Sequence, residues 1–226
     1  MTQNRTVKWL GYVAGTIGMM FASCLAAPQL LAFPHVATIG TTRVYAETPI
    51  DEARMAAILH AADARLAASP LYDEPVGTRV FLTDGGWRWR ALALNTSGAF
   101  ALTRSFSSAL SDAVIIGRHS ITQNHVYNSQ TIGGVRRLSD IIAHERTHIM
   151  MERSIGWLAD KRLPRWKREG YADYVAGSSS LSAGDVARLR AQGAEHPALL
   201  YYEGRRRVAA ALATNGGDVG ALLLGD

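Results

Sequence analysis

His144-Glu145-Arg146-Thr147-His148, followed after a gap of twenty residues by Glu169 and, four positions further, by Asp173, is the stretch that decides how this chain is read. On a helix, residues four apart lie nearly above one another, with Cβ atoms about 6 Å apart, so the imidazoles of His144 and His148 can converge on one ion. Glu145 is displaced by roughly 100° around the same helix, away from the histidines but within reach of a metal-bound water, which is the position of a general base. Glu169 supplies a third ligand, a carboxylate, on a second helix expected to start at Pro164, where the missing N–H costs nothing. Asp173, one turn beyond Glu169, is placed to accept the outward ring N–H of a ligating histidine and fix its tautomer. Three protein ligands leave a fourth position for water, whereas a structural zinc is closed by four side chains, usually with cysteines. The single cysteine, Cys24, lies in the apolar N-terminus.

HExxH followed by E-x-x-x-D resembles the gluzincin metallopeptidases, and Pro164 to Tyr174 resembles the proline, tryptophan and Glu-Gly-x-Ala-x-Tyr block of their compact bacterial members. The resemblance implies one Zn2+ held by His144, His148 and Glu169, with Glu145 as the base. It also implies a zincin-like fold with a sheet beside the active-site helix and a substrate bound in extended form along a sheet edge, here the strand near Ala113 to Arg118 or the loop after it. Tyr201-Tyr202-Glu203-Gly204 resembles the Tyr-x-Lys-Gly block of the aminopeptidases in this clan, with Glu203 in place of the lysine. It makes Tyr201 the candidate donor to an oxyanion, with Tyr202 and His196 as alternatives. The Gly-x-Met-Glu-Asn block that holds a substrate amine in those aminopeptidases is missing, so their specificity is not carried over.

Working outward, the chain of 226 residues, 48% hydrophobic, suffices for one substantial core after the leader. Residues 1–33 are expected to form a membrane anchor or signal segment, and residues 34–226 one catalytic domain. Trp9 to Phe33 is uncharged and follows Arg5 and Lys8, long enough to cross a hydrocarbon core of about 30 Å. It reads as a transmembrane anchor, with a cleaved signal peptide or a lipobox at Phe21-Ala22-Ser23-Cys24 as the alternatives. All three hold the N-terminus in the cytoplasm and deliver the remainder across the membrane, so the expected location is the bacterial inner membrane with the domain in the periplasm, or a secreted or lipid-anchored form. Gly11 and Gly15 form a small-x-x-x-small pair through which two such helices would approach; oligomeric state is otherwise open.

The net charge of +5 includes Arg5 and Lys8. The basic groups Arg136-Arg137, Lys161 to Arg168 and Arg205-Arg206-Arg207 come with no nucleic-acid module and read as solvated helix faces; no nucleic-acid partner is expected. His35, His60, His119 and His125 fit no ligand pair and are expected to be non-ligands.

Val36 to Glu47 reads as one strand-like run, followed by a helix from Thr48-Pro49 to about Ala68 with Ile50, Ala53, Ala57 and Leu66 facing inward. Arg79 to Thr83, Ala99 to Arg104 and Ala113 to Gly117 are short β-prone runs, with Trp87 to Leu94 a helix between the first two. Ser139 or Asp140 is expected to cap the motif helix, with Ile141, Ile142 and Ile149 on its apolar face. Ser182 opens a helix to about Ala191, and Ala198 to Thr214 forms another, stopped by Asn215-Gly216-Gly217. Strands first and helices afterwards imply an α+β domain. The function expected is a membrane-anchored zinc metallopeptidase acting on a peptide or protein substrate. The alternatives are a silent peptide-binding pseudoenzyme of the cell envelope and a zinc hydrolase of a non-peptide bond.

Overall fold

The computed structural model describes residues 3–73, 78–96, 98–105 and 112–225. In chain order its elements are α1 (Gln3–Ala26), β1 (His35–Ile39), β2 (Thr42–Ala46), α2 (Glu52–Ala67), β3 (Arg79–Leu82), α3 (Trp87–Ala93), β4 (Ala101–Arg104), β5 (Ala113–Ile116), β6 (His119–Ser120), β7 (His125–Tyr127), β8 (Val135–Arg137), α4 (Leu138–Ile155), α5 (Trp157–Arg162), α6 (Arg165–Ala176), α7 (Ala183–Ala191), α8 (Leu199–Thr214) and α9 (Val219–Leu224). The architecture is α+β, with the strands grouped in the first part of the chain and helices dominating the second.

Five strands form a mixed sheet in the order β1-β2-β3-β5-β4. β2, β3 and β5 run parallel, while β1 and β4 are antiparallel to their neighbours. Successive side chains of a strand point to opposite faces, and here both faces are covered. Val44, Ala46, Val80, Leu82, Val114 and Ile116 face the main core under α2 and α4. Tyr45, Phe81, Ala113 and Ile115 face a second cluster with Trp89 and Leu92 of α3. β3 and β5 are therefore buried at each position, as central parallel strands should be.

Three sequence expectations change. The run from Val36 to Glu47 is a hairpin, because Gly40 adopts a positive φ of 56° and lets the chain reverse between Ile39 and Thr42. The helix α2 buries Met55, Ile58, Leu59 and Ala62 together with the expected Leu66, and Ile50 packs against the core ahead of it, while Ala53 and Ala57 are exposed. Both stripes have helical spacing, and the one with the larger side chains gains more from leaving water. The strand near Ala113 to Arg118 is interior, and the edges of the sheet are β4, next to it, and β1 at the other end.

The motif helix α4 starts at Leu138, so both expected caps, Ser139 and Asp140, lie inside its first turn. Its first N–H groups are satisfied by Asn124, whose carbonyl accepts from Leu138 N–H and whose side-chain oxygen accepts from Ser139 N–H, both at 2.9 Å. Asp140 is thereby free to pair with Arg65 of α2 at 2.6 Å. Asn124 sits in the turn between β6 and β7, part of a three-stranded sheet with β8. These strands are two or three residues long and rich in His, Ser and Arg, so no apolar alternation marked them in the sequence. From Leu138 to Met151 the helix is buried on all sides. Within it, Arg146 is 1% exposed and donates to Thr42, Asp63 and Thr78, tying the sheet and α2 to the motif.

In α6, Pro164 is the residue just before the first turn. α6 crosses α8 where two glycines meet: a Cβ on Gly170 would lie 2.4 Å from the backbone of Gly204, and one on Gly204 would lie 2.9 Å from the Trp166 carbonyl. Both belong to the Glu-Gly and Tyr-x-x-Gly segments of the sequence, and they bring the helix bearing Tyr201 against the one bearing Glu169. α7 opens with the expected Ser182 cap, in a reciprocal capping box with Asp185. α8 runs to Thr214, as the Asn-Gly-Gly stop requires.

α1 contains one apolar window, Trp9–Ala26, long enough to cross a membrane, with none of its residues buried and those from Trp9 to Ser23 exposed. The helix ends at Ala26, short of Phe33, because Pro28 opens a short 3-10 turn, Pro28–Leu31. Leu25, Leu31 and Phe33 then pack into the second cluster beside Tyr45 and Phe81.

Candidate metal centre

α4 and α6 pack side by side, and the one-turn spacing in each sets four groups around one point. The His144 and His148 Nε2 atoms lie 3.2 Å apart, and Glu169 Oε2 is 3.4 Å from the first and 3.5 Å from the second. Asp173 Oδ1 accepts the His144 Nδ1–H at 2.8 Å, which turns the Nε2 lone pair toward the other two donors. Asp173 is fully buried, and Arg136 of β8 donates to it at 3.0 Å and to the Ser178 carbonyl at 3.1 Å. The expected ligands and their orienting carboxylate are thus together.

Two neutral imidazole nitrogens and a carboxylate oxygen are all acceptors, and at these separations they repel unless a cation lies among them. A proton is one solution. Burial acts to lower the pKa of His144, but hydrogen bonds to Asp173 and Glu169 outweigh it and raise the value to about 10. Burial likewise acts to raise that of Glu169, yet the charge of His148 and hydrogen bonds from both imidazoles bring it well below the usual carboxylate range. Asp173 is lowered against its burial by Arg136 and His144.

A metal ion is the other solution, and the donor set fits one. Tetrahedral bonds of about 2.0–2.2 Å require ligand atoms about 3.3–3.6 Å apart, close to the triangle observed. Imidazole donors disfavour Mg2+ and Ca2+, which prefer all-oxygen sites. Among the described residues this is the group of His, Cys, Asp and Glu side chains able to hold an ion. His119 is occupied elsewhere, with Nδ1 2.9 Å from the Thr83 carbonyl, and His125 lies edge-on to Tyr127.

Glu145 lines the same cavity as this triangle, and β4 passes beside it. Thr103 of β4 lies 2.6 Å from Glu145 Oε2 and donates to it, holding the carboxylate on the wall of this cavity of about 560 Å3. The neighbouring Leu102 turns to the opposite face of the sheet and packs in the second cluster. The cavity runs past Phe100 and Ala101, over His144 and His148, to Arg165, His196 and Tyr201. The Tyr201 ring centroid is 6.4 Å from that of His144, and its hydroxyl accepts from Arg165 at 3.3 Å. Burial and the charge of Glu169 raise the Tyr201 pKa, so it is a neutral O–H donor. His196 also lines this cavity, whereas Tyr202 packs against the small cluster of Leu181, Val186 and Leu189.

Sequence reasoning missed Thr103 and the role of Arg136, and its reading of the basic groups as solvated faces holds for Arg137, Lys161, Arg162 and Arg206 but not for all of their members. Arg136 is a buried strand residue, not part of a solvated helix face; Arg165 and Arg168 line the cavity, and Arg207 lies 4.0 Å over the Trp166 ring. Arg136 meets Asp173 from 37 positions away, so no local pattern could reveal the pairing. Comparison with protein-family models, with curated proteins and with solved structures gives no match.

Proposed function

We propose that the protein is a membrane-anchored zinc metallopeptidase of gluzincin type, with a zincin-like domain outside the cytoplasm. The observation that carries this reading is the triangle of His144, His148 and Glu169, with Glu145 lining the same cavity. A zinc ion held by these three residues would supply a water of lowered pKa and an electrophile for a carbonyl.

The chain's own residues supply the rest. Glu145 accepts a proton from the attacking water and passes it to the leaving amine, and the Thr103 hydroxyl holds its carboxylate in place until substrate arrives. Tyr201 donates its O–H to the oxyanion that develops on the substrate, with Arg165 occupying a lone pair of the same oxygen and aiming the proton away from itself. β4, the edge strand that lines the cavity, offers backbone groups unpaired among the described residues to an extended peptide. The fit of all four roles to one cavity favours a peptide over other hydrolysable bonds. Arg5 and Lys8, before the apolar window of α1, favour a cytoplasmic N-terminus and a periplasmic domain.

The test is metal analysis of the purified protein together with cleavage of a peptide library, wild type against Glu145→Gln. One zinc per chain in both proteins, with hydrolysis lost in the variant, is expected. Zinc without hydrolysis by the wild type would point to a peptide-binding pseudoenzyme, and hydrolysis of esters alone to a different substrate class.

A further inference from the structure

The second apolar cluster lies on the face of the sheet opposite the metal centre, and the N-terminal segment is fastened to it. Arg79 donates to the Gln29 side chain at 2.7 Å, and Arg88 donates to the carbonyls of Leu31 and Ala32 at 2.9 and 3.1 Å. Leu25, Leu31 and Phe33 pack beneath them, and Arg88 also covers the Phe33 ring. The helix α1 therefore joins the domain without a slack tether, and its direction fixes which face of the domain meets whatever surrounds it.

That face is unusually apolar and cationic where it is exposed. Leu30, Trp87, Leu94 and Val36 are 60, 55, 49 and 47% exposed. Trp87 and Arg90, three positions apart, share one stripe of α3, and the exposed Leu94 follows as its C-cap, while Trp89 and Leu92 are turned inward. Val36 pairs with Tyr45 across β1 and β2, and Arg43 lies over the Tyr45 ring, which sets both on the same side of the sheet. Arg43 and Arg90 are exposed and have no acidic partner among the described residues, whereas Glu47 is taken up by Arg88 and Asp84 borders the patch in the turn before α3.

We propose that this face, from Leu30 across Val36 and Arg43 to Trp87, Arg90 and Leu94, rests on the surface of a bilayer containing anionic phospholipid, with the metal centre turned away from it. Continuity with the exposed apolar window of α1 selects the occupant: a helix that crosses the bilayer and is clamped to this face leaves the headgroup layer as the medium next to it. Tryptophan rings partition to that layer, and arginines near it are attracted by anionic lipid. The proposal rests on α1 crossing a membrane.

The test uses the full chain in nanodiscs of phosphatidylethanolamine and phosphatidylglycerol. In a Cys24→Ser background, single cysteines at positions 17, 87, 94 and 157 carry a fluorophore, and spin-labelled lipid and aqueous iodide serve as quenchers. Position 17 reports the anchor itself, and Trp157 lies beside His148 on the cleft side of the domain. Labels at 87 and 94 are expected to be quenched by lipid at least about threefold more than the label at 157, and less so after Arg43→Glu with Arg90→Glu. If position 17 is lipid-quenched but 87 and 94 respond only to iodide, or to neither quencher because protein covers them, the docking proposal is overturned while the anchor stands. If position 17 itself escapes the lipid quencher, the anchor reading fails.

Discussion

Replacing Arg136 by Met tests how the metal centre is held. The guanidinium and the Asp173 carboxylate are 5% and 0% exposed and 3.0 Å apart, so removing the cation leaves a buried charge whose other partner is the His144 imidazole. Breaking such a pair from one side costs about 3–5 kcal/mol. Taking about 3 kcal/mol and about 2–4 °C per kcal/mol for a domain of this size, the metal-free variant should unfold about 6–12 °C lower. The uncompensated carboxylate then either takes up a proton, which leaves the Nδ1–H of His144 a weaker, uncharged acceptor, or swings toward water, which removes the acceptor altogether. Loss of such an orienting group typically weakens metal binding by about 10–100-fold. The assay is thermal unfolding with and without Zn2+, together with competition against a chromogenic chelator, and Arg137→Met on the exposed neighbour is the control. A variant that melts within about a degree of wild type and binds zinc equally well would refute the reasoning, because the charge of Asp173 would then be balanced by something other than Arg136.

The remaining predictions concern helix crossing, the base and pH. Gly170→Ala should leave little soluble protein or lower the melting temperature by at least about 6 °C, since its methyl carbon would meet the Gly204 backbone at 2.4 Å with no flexible side chain to yield. Circular dichroism melts would show it; a neutral result would mean that the helices can separate freely. Thr103→Val should retain zinc yet reduce kcat/KM by about tenfold, the worth of one hydrogen bond to a charged group, and unchanged kinetics would remove Thr103 from the mechanism. In the metal-free protein, His144 has its pKa raised from 6.5 to about 10, so its contribution to stability is complete below pH 6.5 and is lost as pH rises through 10. Glu169, lowered from 4.5, contributes above that pH and loses its contribution as the pH falls further. The melting temperature of the metal-free protein should therefore be highest between about pH 4.5 and 6.5 and decline toward pH 10, whereas zinc-loaded protein, which needs neutral imidazoles, should gain metal affinity as pH rises. A metal-free protein with constant stability from pH 6.5 to 10 would contradict this.

What could be read from the linear chain was whatever is repeated at helical spacing. His144 and His148, Glu169 and Asp173, the Ser182 cap and the Asn-Gly-Gly stop each depend on residues within one or two turns, where local geometry alone decides which side chains meet. The strands were legible only as apolar runs. Ala113 to Gly117 announced a strand but not its rank in the sheet, since a run buried on both faces reads the same wherever it lies, and the edge on that side went instead to β4. In the same way α2 offered two stripes of equal period, and the sheet it packs on selected the one with more apolar bulk.

The sequence by itself determined the donor set: two imidazoles one turn apart, a glutamate and an aspartate one turn apart, and a glutamate between the histidines. Tertiary structure alone decided that these two helices lie close enough for their donors to form a triangle, that Arg136 balances Asp173, that Thr103 holds Glu145, and that Asn124 rather than Ser139 or Asp140 starts the motif helix. The physical reason is that charge balance and hydrogen-bond satisfaction in a buried site are conditions on distance in space. Partners that meet them come from any position in the chain, and spacing along it carries no record of which ones do.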